Sequence, residues 1–352
     1  MIWSLIIVTD PSRLPDGHPE RPPRRIGLLL VNLGTPDGTD YRSMRRYLAE
    51  FLSDRRVIEL NPLLWQIILQ LFILPFRPRK SARAYRAIWD RERDESPLRG
   101  IMRSIAARVG DEMAGRELIV DWAMRYGQPA IAARIEALAA EGCDRILIFP
   151  LYPQYAAATT ASAADEAFRA LMRMRFQPAV RVVPPYYDDA GYIAALAASV
   201  EATRAKLDFA PDALLASFHG LPAELLEKGD PYYCHCMKTA RLLREALALD
   251  PKNFHVGFQS RFGPKKWLEP YIEELFRALP AQGVRDLLVI APGFAADCVE
   301  TLEEIAIGGA DLFRAHGGRN FVMVPCLNDG EGHIAMLRSI AERELSGWMQ
   351  HS

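Results

Sequence analysis

No surplus of charge marks this sequence: 43 Lys and Arg stand against 44 Asp and Glu, a formal net charge of -1. Without a basic field to gather phosphates, nucleic acid is not an expected partner. Cysteine is scarce, with five in 352 residues, odd in number and mostly scattered. That is not the disulfide framework of a small secreted domain, and a reducing cytoplasm is the expected compartment. Long apolar runs are missing as well. The strongest, "LLWQIILQLFILPF" from Leu63 to Phe76, contains Gln66 and Gln70 and is too short to span a bilayer, which needs about 20 residues. No basic residue precedes the apolar start "MIWSLIIV" and no small-residue cleavage site follows it, so no signal peptide is read.

What is present is enough apolar material, half of all residues, for one large or two medium domains. The polar, proline-rich stretch from Asp10 to Pro23 reads as the end of a loose arm over 1–23, and the fold is expected to begin at 24. The Leu63–Phe76 run, with Arg77, Arg79 and Lys80 beside it, has two readings. It is either a core helix or an exposed apolar lip over 61–80 suited to lipid headgroups or a greasy ligand.

Two halves of the chain repeat each other. "RIGLLLVNLGTP" turns at Gly34-x-Pro36 and "DALLASFHGLP" at Gly220-x-Pro222; "ELIVDWAMRYGQP" carries Arg125-Tyr126-Gly127 where "NFHVGFQSRFGP" carries Arg261-Phe262-Gly263. "EGCDRILIFP" then answers "QGVRDLLVIAP". Short apolar strands alternating with helical stretches indicate α/β architecture, a parallel sheet with helices on both faces, built twice. The expected lobes are 24–165 and 166–327, followed by a C-terminal helix in 328–352 packing back on the first lobe. Ligands in such sheets bind beyond the carboxyl ends of the strands. Leu33, Arg125, Tyr152, His219 and Arg261 fall there, so His219 is expected to face a cleft between the lobes.

The segment "PGFAADCVETLEEIAIGG" adds acids. In a helix starting near Asp297, Asp297, Glu300 and Glu304 share one face; the competing reading is a capping arrangement of Asp297 with Glu300. An imidazole opposite carboxylates suits proton transfer and divalent metal handling. Placing a divalent metal in a porphyrin needs both, within a wide apolar cleft.

"LLLVNLGTP", "LYPQYAAATT", "SFHGLP", "KGDPYYCHCMKTA", "FQSRFGPKKWLEP" and "PGFAADCVETLEEI" together resemble the ferrochelatase family, in order from about Ile26 onward. The resemblance implies a chelatase fold of two Rossmann-like lobes and insertion of Fe(II) into protoporphyrin IX, with two protons released, as the last step of haem biosynthesis. It puts the essential histidine on His219, the active-site glutamate on Glu300, and the metal or proton path on Asp297 and Glu304. Leu33, Tyr85, Arg125, Tyr152 and Trp267 match positions around the porphyrin, with Arg125 first in line for a propionate. Leu63–Phe76 looks like the family's lip, with peripheral membrane contact as its expected role. Some relatives carry a histidine where this chain has Cys298, and others bind a [2Fe-2S] cluster through a cysteine-bearing extension. This chain ends "SGWMQHS", so no cofactor beyond the iron substrate is expected, and Cys234-His235-Cys236 is read as a loop. Alternatives are a cobalt or sirohydrochlorin chelatase of the same architecture and a tetrapyrrole carrier without catalysis.

Overall fold

Strand β1 (Arg25–Thr35) is buried along nearly its whole length, as an apolar strand covered on both faces must be. In the computed structural model, which describes residues 24–115 and 117–349 together with Gly17, β1 pairs in parallel with β2 (Leu118–Gly127) on one side and β3 (Cys143–Pro150) on the other. Strand β4 (Ala179–Val182) adds to β3, giving the order β2-β1-β3-β4. The second half repeats this with β5 (Ala213–His219), β6 (Phe254–Gln259), β7 (Asp286–Ile290) and β8 (Asn320–Met323), in the order β6-β5-β7-β8. Both sheets reverse direction beside their first strand, so the switch-point strands are β1 and β5. The expected arm, Gly17 aside, lies outside the described residues.

Alternation along β1 divides the core. Leu29 and Val31 face a cluster with Ile135, Leu138, Ala163 and Ala167, while Leu28 and Leu30 face a larger one. That larger cluster also holds Leu214, Ala216 and Phe218 of β5, so one apolar layer lies between the two sheets and ties them together. The helix Glu331–Glu344 packs into this layer through Ile334, Leu337 and Ile340. Arg338 on it meets Glu112 at 2.9 Å, and beyond it the Trp348 carbonyl accepts from Arg145 of β3 at 3.0 Å.

The expected lobe boundary at 165/166 is corrected. It falls inside the helix Ser162–Arg173, and β4 belongs to the first sheet, so that sheet claims the chain through Val182. Of the two readings for the apolar run, exposure decides. The helix Pro62–Ile68 and the π-helical turn Leu69–Ile73 leave Leu63 80%, Leu71 62% and Phe72 66% exposed, with Leu69 and Leu74 as the buried anchors. Among the described residues no helix is long and apolar enough to cross a membrane.

Candidate active site

The site grows from the end of β5. His219 is the last residue of that strand and is partly buried. The chain turns at once because Gly220 lies against β6: a Cβ there would sit 2.7 Å from the Gln259 carbonyl oxygen and 3.0 Å from the Trp267 ring. Trp267 therefore backs the turn behind His219, with its Nε1 buried and without a hydrogen-bond partner. His219 Nδ1 lies 2.7 Å from the Gly220 carbonyl oxygen. A carbonyl only accepts, so Nδ1 carries a hydrogen, and in a neutral imidazole bonded this way the free lone pair is on Nε2.

Opposite stands a π-helical segment, Glu300–Gly309, an i→i+5 geometry frequent at functional sites. Glu300 and Glu304 lie one turn apart on it. Burial, then the neighbouring Glu304 carboxylate, push the Glu300 carboxyl above the ordinary range, while the Cys298 side chain and His219 pull the other way. Burial pushes Glu304 up too, opposed by Ser260 and Gln259; Ser260 Oγ donates to it at 2.5 Å. Glu304 is open to solvent yet walled in by protein, as expected of a group on the side of a cleft. Gln259 fixes the floor, accepting from Ser217 Oγ at 2.8 Å and donating to the Glu300 carbonyl at 3.0 Å. Val299, just before Glu300, packs onto the first-lobe cluster of Tyr47, Tyr85 and Tyr126, which places Glu300 at the seam between the lobes.

Asp297 does not share that face. It lies in the turn before the helical segment, and its carboxylate is occupied by Thr301 Oγ1 at 2.8 Å, Asn328 Nδ2 at 2.7 Å and the Cys326 N–H at 3.4 Å. Three donors from within the protein leave it a structural acceptor rather than an open metal ligand. The capping box is not formed either: Val299 takes the N-cap position with no side-chain hydrogen bond.

The remaining expected residues divide. Leu33, on β1, is partly buried beside two apolar clusters. Tyr152 follows β3 and is buried with its hydroxyl unpartnered. Tyr85 is buried against Tyr47, ring edge to face at 6.3 Å. Arg125 is corrected: only 8% exposed, its guanidinium binds Asp54 at 2.6 Å and Ser162 Oγ at 2.6 Å and is not free for a propionate. Asp54 also accepts from Tyr126 at 2.8 Å and from Ser162. Burial pushes Asp54 up, but the bonds from Ser162, the Arg56 N–H and Tyr126 outweigh it and hold the carboxyl low. A cation that bridges the lobes near the acids is Arg77, partly buried, stacked 4.3 Å over Phe262 of the second lobe and within electrostatic reach of Glu304. Its place in the basic run after the lip was the available signal. Cys234-His235-Cys236 forms the first turn of the helix Tyr232–Ala246, not a loop, and adjacent helical positions point apart. Cys236 is buried, Cys234 exposed, and His235 stacks on Tyr187 with ring centroids 3.6 Å apart.

The two-lobed chain that carries this histidine and these carboxylates has counterparts among known proteins. A family profile described as Ferrochelatase matches residues 25–345. Relatives named Ferrochelatase from Rhizobium leguminosarum bv. trifolii and Agrobacterium fabrum are 55% and 53% identical, each alignment covering 97% of this chain and 100% of the relative. The chain belongs to the ferrochelatase family. As a ferrochelatase it is a metal chelatase, a lyase that places iron in a porphyrin to complete haem. Solved structures of SirB from Bacillus subtilis with Fe3+, and of the sirohydrochlorin chelatase SirB from its subspecies spizizenii in complex with cobalt, share the fold. Their TM-scores are 0.55 and 0.52, each at 13% identity over 92% of this chain and 97% and 99% of theirs. At that identity the likeness concerns architecture alone.

Proposed function

We propose that this ferrochelatase acts on protoporphyrin IX, with His219 and the Glu300–Glu304 pair as the reacting groups on opposite sides of the ring. The observation that carries this is the free Nε2 of His219, on the switch-point strand, set against two carboxylates that burial holds up, Glu300 also through the neighbouring Glu304. Nε2 accepts a pyrrole proton. The carboxylates, whose repulsion a divalent cation relieves, present Fe(II) from the other face and take up the second proton as two iron–nitrogen bonds replace two N–H bonds. Leu33, Tyr152 and Trp267 line or support the wall, Tyr85 lies beneath Glu300, and Arg77 between the lobes is the partner for a propionate. A sirohydrochlorin, with many more carboxylates, calls for a more basic cleft than one that presents its own acids.

The test is anaerobic mixing of the protein with Fe(II) or Zn(II) and, in parallel, protoporphyrin, coproporphyrin or sirohydrochlorin, followed by absorption. Catalysed metallation fastest with protoporphyrin is expected. Faster turnover of either other tetrapyrrole reassigns the substrate, and bound but unmetallated porphyrin leaves a carrier.

Two further readings go with this one. The lip rests peripherally on a membrane through Leu63, Leu71, Phe72 and Phe76, with Arg79 and Lys80 at the headgroups. Replacing Leu63, Leu71 and Phe72 together by serine is expected to abolish flotation with anionic vesicles while the thermal midpoint holds; unchanged flotation removes the lip from that role. No resident cofactor is needed. Reconstitution with iron and sulfide that yields a [2Fe-2S] absorption band is the contrary result.

A further inference from the structure

Asn328 lies between β8 and the final helix with φ 47°, in the left-handed region that asparagine tolerates better than most side chains. Its amide closes on one residue twice: Oδ1 accepts the Asp297 N–H at 2.8 Å and Nδ2 donates to Asp297 Oδ2 at 2.7 Å. Its own N–H donates to the Ala295 carbonyl at 3.0 Å, and its carbonyl accepts from His333 Nδ1. His333 is buried. Asp297 passes the constraint on, since its Oδ1 accepts from Thr301 Oγ1, and Thr301 in turn accepts from the Cys298 N–H at 3.1 Å. These bonds bracket Glu300 on both sides, at 297–298 and at 301.

From this geometry we infer that Asn328 is a positioning residue for Glu300, acting through Asp297 and Thr301 to set how the chain enters the π-helical segment. The inference rests on the reading of Glu300 as a reacting group. Two hydrogen bonds from one planar amide to the backbone and carboxylate of a single residue fix that residue's orientation as well as its place. A reacting carboxylate displaced by about 1 Å costs on the order of 100-fold in rate.

The decisive variants are Asn328→Gly, which keeps the left-handed backbone but lacks the amide, and Asn328→Asp, which keeps the shape but sets a carboxylate against Asp297. Each is expected to lower kcat about 10- to 100-fold, leaving porphyrin binding by fluorescence titration and the porphyrin KM within twofold. A purely structural role instead lowers the thermal midpoint and leaves kcat per folded molecule intact. In an Asp297→Ala background only the bond from the residue-297 N–H to Asn328 Oδ1 remains, so Asn328→Gly is expected to add a smaller loss of kcat than it causes in the parent; a full additional loss overturns the route through the Asp297 carboxylate. If Asn328→Gly does not fold, Thr301→Val opens the same network from its other end, and normal kcat there counts against the inference. Glu300→Gln separates the two levels. If it is inactive while Asn328→Gly has normal kcat, the inference alone fails; if it is fully active, the reading of Glu300 fails.

Discussion

Leu33 and His219 hold the same place in two sheets built alike. Each stands near the end of its switch-point strand, before a glycine pressed against the neighbouring strand: a Cβ on Gly34 would lie 1.8 Å from the Tyr126 carbonyl oxygen, one on Gly220 2.7 Å from that of Gln259. The likeness extends past the third strand. A π-helical segment follows β3 at Ala157–Ala161 and another follows β7 at Glu300–Gly309. The first reads "AATTA", the second "ETLEEIAIGG". One lobe thus presents leucine and small side chains where the other presents imidazole and carboxylates. On the proposed assignment a repeated backbone carries two duties, a wall and a set of reacting groups, and the difference lies in a few residues beyond the strand ends.

Substitution on each side should separate these duties. His219→Ala and Glu300→Gln are expected to reduce kcat by about 10²–10⁴, with porphyrin still bound and the thermal midpoint close to the parent. Leu33→Ala, at the position matching His219, is expected to raise the porphyrin KM about tenfold while kcat changes little. Steady-state kinetics with Zn(II) and protoporphyrin provide both numbers. A kcat collapse in Leu33→Ala, or near-normal turnover in His219→Ala, breaks the division.

The second contrast is between arginines. Arg125 and Arg261 hold matching places in the sequence repeat, Arg125 near the end of β2 and Arg261 just past β6, but Arg125 is buried on Asp54 while Arg261 lies exposed over the Tyr271 ring at 4.3 Å. Removing one partner of a buried pair leaves an uncompensated charge, so Asp54→Ala is expected to cost about 3–5 kcal/mol in denaturant unfolding. Arg261→Ala, at an exposed site, stays within about 0.5–1 kcal/mol. Equal losses at the two sites would end the distinction.

These contrasts also show what sequence pattern carries. The two parallel-sheet lobes, the strand-end glycines and the place of His219 at the end of its strand are legible because each depends on local apolar runs and turn residues a few positions apart. Arg125 misleads because its partner, Asp54, lies 71 residues earlier, and nothing local to "AMRYG" announces a buried acid. The lobe boundary slips because β4 is four residues long and its alternation is too brief to register. Asp297 is drawn to the wrong face by helical counting: the helical segment starts after it, and an i→i+5 backbone has no compositional signature. Asn328 goes unnoticed for the same reason as Asp54, since its 31-residue reach to Asp297 is visible only once β7 and β8 are side by side.

The smallest expected effect gives the sharpest form of the comparison, because the two lobes' carboxylates should respond to pH in opposite directions. Asp54 is held low in the folded protein, so its stabilisation is complete above the ordinary aspartate value of about 3.9 and is lost as pH falls through its depressed folded value. Glu304 is held high. The folded protein keeps its proton where the unfolded chain has released it, so stability falls as pH rises from the ordinary glutamate value of about 4.3 up through the raised folded value. Glu304→Gln removes that cost. Because the side chain is open to solvent, the gain is small: a thermal midpoint about 1–2 °C above the parent at pH 7.5. The gain should shrink to a small remainder as pH approaches 4, where the parent carboxyl is mostly protonated in both states. Calorimetry of the parent and Glu304→Gln across pH 4–8 measures this directly. A gain that persists undiminished at pH 4 assigns the effect to packing rather than charge, and a loss at pH 7.5 means that the carboxylate is stabilised by partners such as Ser260 more than burial penalises it. The expected result, a cost of folding borne at neutral pH by a carboxylate in the second lobe, is what a group kept for its reaction rather than for the fold should show.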